Sequence, residues 1–480
     1  MAEAKQGSIE RTWLIRNGHV VVPEWGVMEG DVFIDDGVIA AIGRGVRAPA
    51  GVSVYDASGK HVFPGFIDPH VHLGNFNRFE DDCRTETISA AAGGITTIVN
   101  YLKILRHRPT QESYERIFDE VFDAINTTSS VDVALHCVLS TPQHTQEIPL
   151  YARRGIPSFK FYLGYKGSEK ALKRGAVAVD DGIIFSGFSE AAAVGDPALV
   201  CIHAENEEVV RVFEAKIPDK NKATFLDWAN SRPNLVEAES VTRGCYFAEV
   251  CGAPIYLVHL SSKEGLAVAK AARQRSPKPV YVETCTHYLL LTKEDGNRLP
   301  GATAKIIPPL REQASVDAYW EGIRDGSVAC VGTDHCALRM EQKRHVWDGD
   351  PAFPGMETFA PLMLTEGRRR GISVERISQV SATNAARIFG LYPKKGTLQP
   401  GSDGDVAVVN LNARDRIQAS RLHGMSGFTP YEGMETTAVI EATWLRGHQV
   451  YTREKDWCGQ PSGQVLLRPA GKGSNAVSQP

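Results

Sequence analysis

Eight short apolar runs, separated by amphipathic stretches, constrain the fold of this chain more than any other feature of its sequence. Runs that are apolar almost throughout are typical of parallel strands buried on both faces, and the stretches between them are typical of covering helices. Eight such units are what a TIM-like (β/α)8 barrel requires, so we predict an α/β fold with a catalytic barrel over residues 62–390. An open doubly wound sheet is the alternative, but no Gly-x-Gly-x-x-Gly turn follows the first run. The runs are Val62–Ile67, Thr96–Leu102, Val131–Leu139, Ser158–Leu163, Ala198–His203, Pro254–Leu260, Pro279–Glu283 and Val328–Thr333.

The segments on either side of the predicted barrel have the character of antiparallel strands. Short alternating segments precede the barrel, and the Asn-Gly and Asp-Gly dipeptides between them are typical of tight hairpin turns. Similar segments return after residue 390. We therefore predict a small β-sandwich domain built from residues 1–61 and 391–458. Residues 459–480 are rich in Gly, Ser and Pro, which predicts a flexible tail.

Charge and cysteine content argue against a nucleic-acid-binding, membrane-bound or exported protein. The formal net charge is −4 and no long run carries one sign, so we expect neither a nucleic-acid nor a membrane partner. No apolar run approaches the length of a membrane span, and the first eleven residues contain no apolar segment typical of a signal peptide. The nine cysteines form no Cys-x-x-Cys pair, which is typical of reduced thiols. We predict a cytoplasmic protein.

Residues that can bind a metal lie at or near the C-terminal ends of five predicted strands. In an extended chain the side chains at positions i and i+2 point to the same face, so the two histidines of the first strand point the same way. Each residue alone has an ordinary explanation, such as a paired core histidine or, for Asp334, a helix N-cap. The strand ends of one barrel share one rim, however, and a binuclear metal site accounts for all six residues together. They are His70, His72, Lys160, His203, His259 and Asp334.

Lys160 is the least ordinary of the six, because a lysine between aromatic residues in a buried strand is costly. Burial and nearby cations lower the pKa of a lysine amine, and a neutral amine can take up carbon dioxide to form a carbamate. The two carbamate oxygens can bridge two divalent ions. The two first-strand histidines and Asp334 would then hold one ion, and His203 and His259 the other. These ligands suit Zn²⁺, and Mn²⁺, Co²⁺ and Fe²⁺ are also compatible.

The order of these residues along the chain resembles the amidohydrolase superfamily, and several motifs resemble its D-hydantoinase/dihydropyrimidinase group. The resemblance covers roughly residues 10–455. It implies two metal ions, an N6-carboxylated Lys160, and assembly as a homotetramer or a dimer. It also implies a small cyclic amide or ureide substrate that is hydrolysed to an N-carbamoyl amino acid. The motifs are Pro64–Leu73, Ser158–Lys160, His203–Asn206, Glu283–Leu289, Pro308–Arg311, Thr333–Cys336 and Ala385–Thr397.

The resemblance implies roles for two residues in the reaction. Asp334 would take a proton from the attacking water and return it to the leaving amide nitrogen. Tyr165 follows Lys160 by five residues, the spacing of the family's tyrosine that hydrogen-bonds the developing oxyanion. A pocket-lining aromatic residue is the alternative for Tyr165.

Four positions bear on the choice of substrate. Dihydroorotases carry an arginine where this chain has Gly74, so a dihydroorotate substrate is disfavoured. Hydantoinases usually have a serine, whose backbone contacts the ring, where this chain has Ile307, so the pocket becomes more apolar. Phe76 and Phe79 follow the first metal-binding histidines, and we hypothesise that they shape the pocket for an aromatic exocyclic group. The alternatives are an allantoinase-like or imidase-like hydrolase and, from another class, a non-catalytic scaffold, which the six filled ligand positions disfavour.

Overall fold

The computed structural model describes residues 11–109, 111–165, 179–456 and 459–468. In these residues the strands belong to two eight-stranded sheets and one two-stranded sheet. Numbered in chain order, the strands are β1 (Trp13–Val22), β2 (Gly26–Asp35), β3 (Val38–Gly43), β4 (Ser53–Asp56), β5 (His61–Pro64), β6 (Phe66–Val71), β7 (Ile95–Leu102), β8 (Asp132–Val138), β9 (Ser158–Tyr162), β10 (Leu199–His203), β11 (Ile255–Leu257), β12 (Val280–Cys285), β13 (Cys330–Gly332), β14 (Val406–Asn410), β15 (Asp415–Arg416), β16 (Glu435–Thr436), β17 (Val439–Leu445) and β18 (His448–Thr452).

Helices alternate with the strands of the sheet formed by β6 to β13. Within the described ranges, none of them combines the length and apolar character needed to cross a membrane. The α-helices are α1 (Phe79–Ala92), α2 (Phe118–Thr128), α3 (Pro142–Gln146), α4 (Ile148–Arg153), α5 (Asp181–Val194), α6 (Glu207–Glu214), α7 (Phe225–Asn230), α8 (Asn234–Cys251), α9 (Lys263–Arg275), α10 (Thr286–Leu290), α11 (Lys293–Arg298), α12 (Gln313–Asp325), α13 (Met356–Arg369), α14 (Val374–Ser378) and α15 (Asn384–Ile388).

Strands β6 to β13 form the barrel. Each strand pairs in parallel with the next one along the chain. A bridge between Val71 and His335 joins the first strand to the last, and the backbone N–H of His72 donates to the carbonyl of His335 at 2.9 Å. This confirms the predicted (β/α)8 barrel. Because all eight strands are parallel, their carboxyl ends meet at one rim.

The other large sheet combines strands from both ends of the chain. Its order is β18-β17-β14-β5-β1-β2-β3, with β4 paired to β1. Val62 pairs in parallel with Val20 and antiparallel with Val408, so early and late segments meet directly. Its apolar side chains, including Val20, Val62, Val408 and Trp444, pack into a core of their own. This is the small β domain that the sequence predicted as a sandwich.

The apolar run Val62–Ile67 is divided between the two sheets. Its first half belongs to β5 in the small domain, and its second half begins barrel strand β6. The chain passes from one sheet to the other at Gly65, where a Cβ atom would lie only 2.1 Å from Oγ1 of Thr96. The prediction that the barrel begins at residue 62 therefore misplaces Val62–Pro64, because apolar character alone does not distinguish adjoining strands of two sheets.

The predicted flexible tail is wrong for residues 459–468, and residues 469–480 lie outside the described part of the chain. The backbone N–H of Leu466 donates to Val133 at 2.8 Å, which extends the pairing of β8. Arg468 is buried, and its guanidinium donates to the carbonyls of Leu135 and Phe389 and to the hydroxyl of Ser158. These backbone acceptors hold the segment, although its composition is typical of a loose chain end.

Candidate metal centre

The six predicted ligands are buried side chains of five barrel strands or of the residues that directly follow them. His70 lies in β6, His203 ends β10, and Lys160 is the central residue of β9. His259 and Asp334 lie two residues beyond β11 and β13. All six are at most 9% exposed.

His70, His72 and Asp334 form a compact group of possible metal ligands. The Nε2 atoms of the two histidines lie 3.2 Å apart. Oδ1 of Asp334 lies 3.3 Å from Nε2 of His70 and 3.0 Å from Nε2 of His72. One ligand atom from each residue therefore lies within 4.8 Å of the other two, which fits a single divalent cation.

His203 and His259 form a second pair beside the first group. Nδ1 of His203 lies 2.9 Å from Nε2 of His259, and the His259 ring centre lies 5.1 Å from that of His70. Burial lowers the pKa of all four histidines of the site. Neutral imidazoles are the form that binds metals.

Lys160 has the surroundings expected of a reactive amine. Its Nζ is buried and has no hydrogen-bond partner among the described residues. It lies 4.6 Å from the centre of the Tyr101 ring and 5.3 Å from that of Tyr162. Burial lowers its pKa to about 8, although acidic neighbours partly oppose the shift. A minor part of the amine is therefore neutral near pH 7 and can react with carbon dioxide.

Asp334 carries the negative charge of the site. Burial alone would raise its pKa, but His70 and His72 outweigh burial and hold the pKa of this carboxyl well below its usual range. Its backbone φ is 52°, and His259 and Tyr165 also have positive φ, at 40° and 67°. Left-handed backbone at residues other than glycine is costly and clusters at functional sites. The fold therefore supports a strained backbone at three of the predicted site residues.

Sequence reasoning did not assign a role to Glu283, which ties two of the histidines together. Its Oε1 lies 2.6 Å from Nδ1 of His70 and accepts the backbone N–H of His259 at 2.8 Å, while Tyr256 donates to Oε2 at 2.9 Å. A carboxylate at Nδ1 fixes the ring so that Nε2 faces the metal. The acid at the end of the apolar run Pro279–Glu283 was the sequence feature that could have identified it.

We expect Glu283→Gln to weaken metal binding by about 10- to 100-fold, because the amide accepts a weaker hydrogen bond from His70. The measurement is metal retained per chain after dialysis against a graded series of chelator concentrations. Glu264→Gln, at an exposed position of helix α9, is the control and should retain metal as the unaltered protein does. Equal retention in both variants would remove Glu283 from the support of the site.

The other predicted site residues divide into two groups. The Tyr165 ring lies 4.9 Å from that of His203, and its backbone N–H donates to Glu207 at 3.1 Å. Ile307 belongs to an apolar cluster above the barrel against which Tyr165 and Phe76 pack. Tyr165 is therefore a neighbour of the predicted ligand His203, and Tyr165 and Phe76 pack against the cluster that contains Ile307.

Gly74 and Phe79 lie against each other at the start of helix α1. Gly74 has φ +79°, and a Cβ there would lie 3.2 Å from Phe79. Phe79 begins α1 and is 6% exposed within the main core, so it does not join the cluster that contains Ile307. Phe79 does line one cavity together with Gly74 and Phe76. The hypothesis that Phe79 shapes the substrate pocket stays a prediction.

The chain is similar to known proteins over most of its length. The sequence model of the amidohydrolase family matches residues 61–450. The chain is 32% identical over 470 residues to a D-hydantoinase of Ralstonia pickettii, covering 95% of this chain and 98% of that protein. It is 33% identical over 457 residues to a D-phenylhydantoinase of Escherichia coli O1:K1 / APEC, covering 91% and 94%. The crystal structure of dihydropyrimidinase from Brevibacillus agri NCHU1002 superposes with a TM-score of 0.87 at 27% identity, covering 96% of this chain and 100% of that chain.

Proposed function

The chain belongs to the amidohydrolase family, and we propose that it hydrolyses the cyclic amide bond of a hydantoin or dihydropyrimidine-type ring to an N-carbamoyl amino acid. The observation that carries this proposal is the meeting of neutral imidazoles, one ionised carboxylate and an unpaired buried amine at one barrel rim. The donor set is that of a binuclear site for zinc or a similar divalent metal.

The buried residues fit two metal ions. We propose that His70, His72 and Asp334 hold one ion and that His203 and His259 hold the other. Uptake of carbon dioxide by the Lys160 amine would form a C–N bond and release a proton, and the resulting carbamate would be a further ligand of the metal site. When bound, such a metal pair acidifies water and polarises a carbonyl.

Asp334 and Tyr165 move or hold protons in the proposed reaction. The Asp334 carboxylate accepts a proton from the water that adds to the ring carbonyl carbon. The C–N bond then breaks, and the same proton passes to the leaving nitrogen. Burial raises the pKa of Tyr165 well above its ordinary value, so its hydroxyl stays protonated and can donate to the oxyanion.

A substrate panel tests the proposed reaction. Hydantoin, dihydrouracil, allantoin and succinimide are incubated with metal-loaded protein, and the products are identified by mass. Products heavier than hydantoin and dihydrouracil by one water support the proposal. Hydrolysis confined to allantoin or to succinimide would favour another cyclic amide hydrolase of the same chemistry.

We expect 5-phenylhydantoin to be hydrolysed faster than unsubstituted hydantoin, because Phe76 and the cluster around Ile307 can receive an aromatic group. The Phe76→Ala variant should lose about tenfold of this preference, the equivalent of roughly 1.4 kcal/mol of apolar contact. The measurement is the ratio of kcat/KM for the two substrates. Trp25→Ala, which removes an exposed aromatic side chain between β1 and β2, is the control. Equal rates on the two rings in the unaltered protein would contradict the aromatic pocket.

Assembly and location stay predictions. We propose a homotetramer or a dimer in the cytoplasm. Exposed apolar side chains on α5 and α8, among them Phe185, Tyr246 and Val250, support subunit contact.

A further inference from the structure

His287 is a buried histidine beside the metal centre with no role in the proposed hydrolysis. It is the second residue of α10, which directly follows barrel strand β12. None of the six predicted ligands comes from this strand. His287 therefore reaches the same rim as the ligands from a strand that otherwise contributes the positioning residue Glu283.

Both ring nitrogens of His287 lack a hydrogen-bond partner among the described residues. The side chain is fully buried, and its neighbours are rings: Tyr288 at 4.1 Å and Phe353 at 4.9 Å between centres. A buried polar atom without a hydrogen-bond partner destabilises the folded protein, because it has lost its bonds to water. Two such atoms in one ring indicate that a ligand completes the hydrogen bonding.

His287 contacts the apolar cluster to which Ile307 belongs. The Asp334 charge acts on its ring, but burial dominates and lowers the pKa of His287 to about 3. The ring is therefore neutral, with one N–H donor and one acceptor nitrogen. Phe353, which it contacts, belongs to the same apolar cluster as Ile307, and Tyr165 packs against that cluster.

We propose that His287 is a specificity-determining residue that accepts a hydrogen bond from the ring N–H by which a cyclic ureide differs from a cyclic imide. The inference rests on the proposed function. Succinimide is hydantoin with this N–H, next to C5, replaced by CH2, and it keeps both carbonyls and the imide N–H. Hydantoin would satisfy the buried acceptor, whereas succinimide would leave it unpaired. A site built to bond one substrate group discriminates strongly against the analogue that lacks it.

The test compares kcat/KM for hydantoin and succinimide in the unaltered protein, His287→Leu and His287→Gln. We expect His287→Leu to lower the hydantoin value by about 10- to 100-fold, mainly through KM, and to change the succinimide value by less than about threefold. His287→Gln retains an acceptor oxygen and should recover part of the loss. Equal losses on both rings, or an unchanged ratio, would overturn the inference.

Three further measurements keep the outcome clear. Metal content and melting temperature show whether each variant is intact, and His287→Met, which also lacks the imidazole acceptor, replaces the leucine variant if that variant does not fold. His144→Gln is the matched control, because His144 is buried but both of its nitrogens have partners, Ser140 and the carbonyl of Glu112. It should leave the substrate ratio unchanged.

The proposed function and the inference can fail separately. If the unaltered protein opens neither ring, the function fails, and calorimetric binding of hydantoin and succinimide still decides the role of His287. A preference for hydantoin that disappears in His287→Leu supports the inference, and a preference that persists overturns it. If the protein hydrolyses hydantoin and the ratio is unchanged in the variants, the inference alone fails.

Discussion

Lys160→Ala is expected to abolish turnover and to lower the bound metal below two ions per chain. The substitution removes the only amine predicted to supply a ligand shared by both ions. Losing several kcal/mol of metal-dependent stabilisation of the transition state corresponds to a fall of about a thousandfold or more in kcat/KM. The measurements are metal content by elemental analysis and the initial rate on hydantoin.

Short carboxylic acids such as acetate or propionate should restore part of the activity of Lys160→Ala, because a carboxylate has the two oxygens of the lost carbamate. The same acids should not activate Lys270→Ala, which removes an exposed amine paired with Asp325. A Lys160→Ala protein with two ions and normal turnover would show that this amine is not a ligand.

Asp334→Asn is expected to retain the fold and lose most turnover. The amide has nearly the same shape as the carboxylate but cannot accept the proton of the attacking water, and general acid–base catalysis typically contributes about 100- to 10,000-fold. Metal content and melting temperature are measured beside kcat, so that loss of a ligand is separated from loss of the base.

The control for this variant is Asp219→Asn, which alters an exposed aspartate beside Lys222 and should leave kcat unchanged. Full activity in Asp334→Asn would remove Asp334 from the proton transfers. Loss of metal in proportion to activity would assign Asp334 to binding alone.

The metal-site geometry could be predicted because a barrel brings residues that are far apart in sequence to one rim. Once eight parallel strands are predicted, a polar residue at the end of any strand must lie at the common rim, whatever its distance along the chain. His203 and His259 are 56 positions apart in sequence, yet their nitrogens lie 2.9 Å apart. The pattern of eight predicted strands was therefore sufficient to predict that these side chains lie close together.

Other features depend on contacts that periodicity does not encode. Glu283 ends an apolar run, and its partners are a ring nitrogen, a backbone N–H and a phenol from two other strands. Arg468 lies in a segment whose composition is typical of disorder, yet its guanidinium donates to the carbonyls of Leu135, within β8, and of Phe389, which follows α15. Phe79 was predicted from its proximity in sequence to the histidines, but its place in the main core depends on how α1 packs, which the sequence pattern does not encode.

The shared sheet of the two chain ends has a consequence for biosynthesis. Strand β5 is translated early, but its neighbour β14 emerges only after the whole barrel. At about 5–20 residues per second, roughly tens of seconds separate the two. During that interval Val62 and the apolar residues beside it lack the strand that later pairs with them. The incomplete small domain is therefore the part of the nascent chain that chaperones would need to bind.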